Sequence, residues 1–273
     1  MGPRRTSGLT RTAWSVPLIP EPEHFRHVGN RDVLYGVVAG AVRASIVDPR
    51  RGRALAKDLW MLLKRLGAPN VRNIDLSRIR GIADIDIEGP VTRHSSLALS
   101  ALSVLLECET IFELGTFEGE TTWLLAHNRP EARVYTLDLP PGQTAPRAAL
   151  EITDPEYLNA QGRGWRFHST PEQGRITQLY GDSATFDFSP YTGSIDLVFI
   201  DASHSYGYVR SDTEAAFGML SELGAIVWDG YTHYPGVYAY LNELAPSLDR
   251  AIYHIVGTRL AMYSRWDIVP PDA

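Results

Sequence analysis

The stretch from Thr110 to Pro140, TIFELGTFEGETTWLLAHNRPEARVYTLDLP, constrains the fold more than any other part of the chain. Ile111 and Phe112 open a short apolar run that stops at Glu113, and the chain then passes Gly115 and Gly119 into Thr121, Thr122 and the apolar Trp123, Leu124 and Leu125. A second apolar run, Val134 to Leu137, ends on Asp138. Strand, glycine turn, helix and strand make a βαβ unit with an acidic residue closing its second strand. Such a unit is suited to a nucleoside. Glycines let the backbone approach a ligand, the helix N-terminus offers free N–H groups, and the carboxylate accepts hydrogen bonds from ribose hydroxyls.

The fingerprint also excludes something. A dinucleotide site uses G-x-G-x-x-G, whose middle glycine seats a pyrophosphate against the helix. Here that position is Phe117, between Thr116 and Glu118, and bulk and negative charge disfavour a pyrophosphate. The pattern Glu-x-Gly-x-x-x-Gly-x-Thr, with an acidic strand end further on, instead resembles the class I S-adenosylmethionine (SAM) methyltransferases. The resemblance implies that Glu113 and the loop residues Gly115, Thr116, Gly119 and Thr121 hold the methionine part, and that Asp138 holds the ribose. It also implies an adenine contact from Asp182, with Ser183 beside it, after a third strand read over Ile176 to Tyr180. On the residues alone, Asp182 serves equally well as the cap of the turn that follows.

A second block runs through two more strands. Ile195 to Ile200 is almost uniformly apolar, as in a parallel strand buried on both faces, and it ends on Asp201. A helix is predicted from about Tyr208 to Leu220, and after Gly224 a strand from Ala225 to Trp228 ends on Asp229. Both carboxylates therefore belong to the carboxyl edge, where α/β sheets bind ligands. The segment Asp-x-x-His-x-Tyr, Asp201 to Tyr206, followed by a helix, a Leu-Gly turn and a strand ending Asp-Gly-Tyr, resembles the bacterial small-molecule and sugar O-methyltransferases of methyltransferase family 24. These are related to the catechol-type enzymes, and the matching motifs span roughly residues 105 to 245. The resemblance implies that Asp201 borders the cofactor and that Asp201 and Asp229 bind a divalent cation, magnesium being the one expected. The usual third ligand position is here Gly230, which leaves His233 or a water to fill the place. It further implies His204 as general base, a role that suits an imidazole titrating near neutrality. The alternative for a histidine at a helix start is capping or packing. Tyr206, Tyr208, Tyr231 and Tyr234 either line an acceptor pocket or pack at the sheet edge.

A chain of 273 residues with 44% hydrophobic content can bury one large α/β core and carry an appendage. The expected fold is a doubly wound, Rossmann-like α/β domain over residues 86–273. Its seven-stranded sheet closes with an antiparallel last strand, the tail runs Arg250 to Val256 and Thr258 to Ser264 forming the final hairpin. Residues 1–85 are expected to form a helical appendage: an irregular lead over 1–30, a helix over 31–45, and a second across 52–66 carrying Leu55, Leu59, Trp60, Leu62, Leu63 and Leu66 on one stripe. The glycine-punctuated run 73–94 is read as a connector and 94–107 as a helix. Residues 141–175 are read as an insertion, a short helix with a mobile flank, that serves as a lid or an ordinary crossover.

Charge is unevenly spread. Residues 1–85 hold 15 Lys+Arg against 7 Asp+Glu (+8), and the remainder holds 11 against 25 (−14), which together give the net −6. The basic segment carries no nucleic-acid motif, so it is expected to dock on the acidic domain of its own or a neighbouring chain, the latter giving a homo-oligomer. The longest mostly apolar run, Leu97 to Leu106, is too short to span a bilayer, and the N-terminal stretch lacks the apolar core of a secretory signal, so a cytoplasmic location is expected. The single cysteine, Cys108, precludes an intrachain disulfide and is read as a buried small hydrophobe. The acceptor implied is a small hydroxylated molecule, a sugar, glycoside or phenol. An NAD(P)-dependent oxidoreductase, opposed by the missing middle glycine, and a non-catalytic SAM-binding or nucleoside-binding protein stand as the other classes.

Overall fold

The computed structural model describes residues 69–89, 94–140, 148–150, 152 and 163–270, together with the helical positions Val42 and Ile46. The expected lead over 1–30, the helix across 52–66 and most of the helices and flanks expected over 31–45 and 141–162 lie outside the described residues. Among the described residues eight strands form one sheet: β1 Arg72–Ile74, β2 Thr110–Leu114, β3 Arg133–Asp138, β4 Ile176–Tyr180, β5 Ile195–Ile200, β6 Leu220–Trp228, β7 Tyr253–Ile255 and β8 Ala261–Ser264. Their order is β1-β7-β8-β6-β5-β2-β3-β4. All neighbours are parallel except that β8 runs antiparallel to both β6 and β7. The antiparallel last strand is as expected, but the described residues form eight strands rather than seven.

The extra strand comes from the run read as a connector. Its three residues pair in register with β7, and Ile74, Ile79 and Ile82 are buried in the same core as the main sheet. The side chain of Asn242 accepts hydrogen bonds from the N–H groups of Asn70 (2.6 Å) and Val71 (3.0 Å), which pins this segment from outside the sheet. Three residues with one glycine-rich neighbour carry too short a pattern to announce a strand; pairing with β7 makes it one.

Alternation along the central strands sorts the core into two faces. Ile111, Leu197, Phe199, Ala225 and Val227 point to one side, against Leu99 and Leu102 of α1 (His94–Leu105) and Leu125 of α2 (Glu120–Asn128). Phe112, Leu114, Val198, Ile200, Ile226 and Trp228 point to the other, against Val209 and Ala216 of α3 (Tyr206–Met219) and Val237 and Leu241 of α4 (Pro235–Leu244). The strands are apolar on both faces because both faces are covered by helices. Ser205 caps α3 by accepting from the Tyr208 N–H, and Pro235 opens α4 at a position where no N–H is required. Cys108 is free and buried, as expected. None of the described helices is long and apolar enough to cross a membrane.

Two features place the loop after β2. Gly115 has φ of +100°, and a Cβ there would lie 2.1 Å from the carbonyl oxygen of Asp201, so only glycine lets the ends of β2 and β5 close together. Beneath it, the buried Glu113 carboxylate accepts hydrogen bonds from Thr122 of α2 and from Thr136 of β3 (2.7 Å), and Thr136 is linked in turn to Thr116 (2.7 Å). One side chain thus ties β2, β3, α2 and the loop together. From the other side, the end of the 141–175 segment is fastened over the loop: Gly164 N–H donates to the Phe117 carbonyl (2.8 Å) and Arg166 N–H to the Glu118 carbonyl (3.0 Å). Within that segment, Pro171–Arg175 forms a 3-10 turn, whose Glu172 accepts from Trp123 Nε1 (3.0 Å).

Burial pushes the Glu113 carboxyl up to about 8, against the pull of the two threonine hydroxyls. The folded state therefore holds this proton more tightly than the unfolded chain. The stability it contributes is full below the ordinary glutamate range and is lost as pH rises through about 8. Glu113→Gln retains an oxygen to accept from both threonines and does not ionise. Its melting temperature is expected to fall less than that of the wild type between about pH 6 and about pH 9, and equal slopes in thermal melts would remove this account of Glu113.

Candidate active site

The carboxyl ends of β2, β3, β5 and β6 open into one cavity. One end is lined by Gly115, Phe117, Asp138, Gly181 and Ser183, and the other by Asp201, His204, Asp229, Tyr234 and Arg259.

At the first end, Asp138 closes β3. Its Oδ2 accepts from the Phe117 N–H (2.9 Å), its Oδ1 accepts from the Leu139 N–H (2.7 Å), and it is ion-paired with the buried Arg163. Phe117 holds a left-handed backbone (φ +46°), strained for a bulky side chain, and the strain delivers its N–H to Asp138. Asp182 does what its capping alternative foresaw. It accepts from the Ala184 N–H (3.0 Å) in its own turn, from the Ala149 N–H (2.6 Å) and from the Tyr208 hydroxyl (2.9 Å). Ser183 and Gly181, rather than Asp182, line the cavity. Asp212 of α3 is wholly buried, and that burial pushes its carboxyl up to about 7, while the neighbouring Ser183 pulls the other way.

At the second end, Asp201 follows β5, Asp229 follows β6, and His204 stands between them. Its Nε2 is 3.4 Å from Asp201 Oδ1 and 3.9 Å from Asp229 Oδ2. Ser205 caps the helix, so His204 is released from the capping alternative, and its ring stacks on Tyr234 with centroids 3.7 Å apart. Asp229 is 3% exposed. Burial first, and the Asp201 charge second, push its carboxyl up to about 7, while Arg259 and His204 pull the other way. Arg259 reaches in from the turn between β7 and β8, with Nη2 2.7 Å from Asp229 Oδ2.

Gly230 acquires a reason here. A Cβ at that position would lie 2.6 Å from His204 Cδ2 and 2.7 Å from Tyr234 Cδ2, so the stacked pair fills the space a third ligand side chain would need. One ligand atom each from Asp201, His204 and Asp229 lies within 4.8 Å of the others, a set of oxygen and imidazole donors able to take a divalent ion. His233 is outside this set: it is exposed, with Nδ1 2.8 Å from the Thr232 hydroxyl. The third side chain facing the two carboxylates is His204.

The remaining expected residues divide. Gly115 lines the cavity, and Gly119 ends the loop at the start of α2. Glu113 and Thr116 lie below the cavity floor in the threonine network, and Thr122 rather than Thr121 reaches Glu113. Of the four tyrosines, Tyr208 and Tyr234 line the cavity; Tyr231 stacks on Tyr238, and Tyr206 donates to Glu243 (2.8 Å). Arg163 and Arg259 went unread in the sequence, because a lone arginine in a polar segment or a hairpin turn carries no pattern.

Residues 112–231 match a family profile described as a methyltransferase domain. No significant match is found among curated proteins. Among solved structures the fold is similar to a Staphylococcus aureus protein provisionally assigned as a caffeoyl-CoA O-methyltransferase (15% identity, 70% of this chain and 92% of that chain covered, TM-score 0.47). It is also similar to the O-methyltransferase TomG of Streptomyces achromogenes, involved in tomaymycin synthesis and solved with SAM (18%, 70% and 90%, 0.44). A methyltransferase from Geobacter sulfurreducens is a third (18%, 70% and 85%, 0.44). These are likenesses of outline alone. The family match covers the stretch that runs from β2 through the glycine loop to the turn after β6, and that stretch is similar to the methyltransferase domain of methyltransferase family 24.

Proposed function

We propose that the protein transfers the methyl group of SAM to a hydroxyl of a small acceptor, a sugar, glycoside or phenol, with His204 as general base. The observation that carries this reading is the position of His204 Nε2, on the cavity and between two carboxylates at 3.4 and 3.9 Å. SAM supplies an activated methyl on a sulfonium that is already a good leaving group. What the chain has to do is orient an acceptor oxygen and take its proton. The O–CH3 bond forms as the S–CH3 bond breaks, S-adenosylhomocysteine leaves, and the acceptor proton passes to His204 Nε2 and then to water. Asp201 and Asp229 hold the imidazolium that results. Asp138, closing β3 on the cavity, is the group we assign to the ribose hydroxyls, with Gly115 leaving room for the methionine part and Ser183 beside the base. The segment from residue 69 belongs with this catalytic domain, so we place the start of the domain before that residue rather than at 86.

If a divalent ion is bound, Asp201, His204 and Asp229 would hold it, and the ion would acidify the acceptor hydroxyl. His204 would then be a ligand and not a base.

Three measurements bear on this reading. A panel of hydroxylated sugars, phenols and glycosides with labelled SAM is expected to give at least one labelled product at an oxygen; label only on nitrogen or carbon would overturn O-methylation. Asp138→Ala is expected to weaken SAM binding by about 10- to 100-fold, the worth of a hydrogen bond to a charged group, with a smaller effect on the melting temperature. Calorimetry showing unchanged affinity would take the ribose role from Asp138. His204→Ala is expected to lower turnover by about two to four powers of ten while SAM still binds. Since only the neutral imidazole accepts a proton, the wild-type rate should fall as pH drops through the histidine range. An acceptor whose hydroxyl is already ionised should escape part of the defect, and near-normal turnover of the variant on a neutral hydroxyl would place the base elsewhere.

A further inference from the structure

The acceptor end of the cavity already contains a cation. Arg259 is held from both sides of its turn: its N–H donates to the Ser95 hydroxyl (3.2 Å), and its carbonyl accepts from the Tyr231 N–H (2.9 Å). The turn itself is locked, with the Thr258 hydroxyl donating to the Ile255 carbonyl (2.7 Å) and accepting from the Leu260 N–H (3.0 Å). The guanidinium is therefore delivered to the cavity by a fixed backbone. It lies 2.7 Å from Asp229 Oδ2, the same oxygen that faces His204 Nε2 at 3.9 Å, on a carboxylate that belongs to the candidate metal set. Burying the Asp229 carboxylate is costly, and the Arg259 guanidinium offsets part of that cost without any ion.

We propose that Arg259 is the resident cation of this site and competes with divalent metals for Asp229, so that the protein works with an arginine where its donor set could otherwise hold an ion. A guanidinium and a dication on one carboxylate repel each other, and Gly230 contributes no side chain that could raise the metal's share of ligands. With Arg259 in place the site carries one more positive charge than the Asp201, His204 and Asp229 set alone. Metal binding then requires the guanidinium to leave. While it stays, the imidazole of His204 remains unmetallated. That consequence for catalysis rests on the reading of His204 as base, whereas the competition for Asp229 does not.

The test is Mn2+ binding to the ligand-free, full-length protein, followed by electron paramagnetic resonance and calorimetry. The wild type is expected to bind Mn2+ only weakly, in about the millimolar range, and Arg259→Gln at least about tenfold more tightly, as expected when a competing charge of this size is removed. Arg259→Lys, which keeps the charge, should stay within about threefold of the wild type. Adding Asp229→Asn to Arg259→Gln should abolish the gain, since the gain runs through that carboxylate. Tight wild-type binding, at about ten micromolar or below, would overturn the proposal without recourse to any variant, as would an Arg259→Gln affinity equal to or weaker than that of the wild type. Because neither SAM nor an acceptor is present, failure of O-methylation would leave these results standing, and failure here would leave the methyl-transfer reading to its own experiments.

Discussion

Five strands of this sheet run toward acidic side chains at one edge: Glu113 near the end of β2, Asp138 closing β3, and Asp182, Asp201 and Asp229 just after β4, β5 and β6. Charges of one sign gathered in a partly buried groove repel one another and lose hydration, so each needs a partner for the fold to close. The partners differ in kind. Glu113 is buried and met by threonine hydroxyls; Asp138 has backbone N–H groups and Arg163; Asp182 has its own turn and Tyr208; Asp201 has His204; Asp229 has Arg259. Much of the local structure at this edge follows from meeting those demands, including the left-handed backbone of Phe117 that turns an N–H toward Asp138.

The kind of partner decides what each carboxylate remains able to do. Glu113 is met by hydroxyls and Asp182 by N–H groups and a tyrosine hydroxyl, and both support the cavity from outside its lining. Asp138, Asp201 and Asp229 face the cavity with partners that belong to it. The split leaves the cavity with one end built around Asp138 and another around Asp201, His204 and Asp229. Gly230 belongs to the same logic: removing a side chain there lets His204 lie flat on Tyr234, which fixes the imidazole between the two carboxylates. A stacked ring has little rotational freedom, so the orientation of His204 is fixed by the fold.

The central fold was legible because its signals are local. Ile176–Tyr180 and Ile195–Ile200 are strands with the bounds their apolar runs predict, and the acidic strand ends mark the carboxyl edge without reference to any contact. The helix after Asp201 starts near its predicted place because Ser205 caps it. The short β1 carried no such signal, since three residues cannot display a period, and its conformation is imposed by pairing with β7 from the other end of the chain.

What the sequence determined by itself is therefore the βαβ order, the position of the glycine loop, and the set of acidic residues that reach one edge. Periodicity and turn chemistry depend on near neighbours, and near neighbours are what a sequence displays. Tertiary structure decided which of those acids are spent on the fold and which are left to the cavity. It replaced His233 by His204 beside the two aspartates, gave Gly230 its reason, and brought Arg259 onto Asp229. The partner of a charge is chosen by distance in space, and the arginine that meets Asp229 comes from a hairpin whose place is set only when β8 pairs with β6.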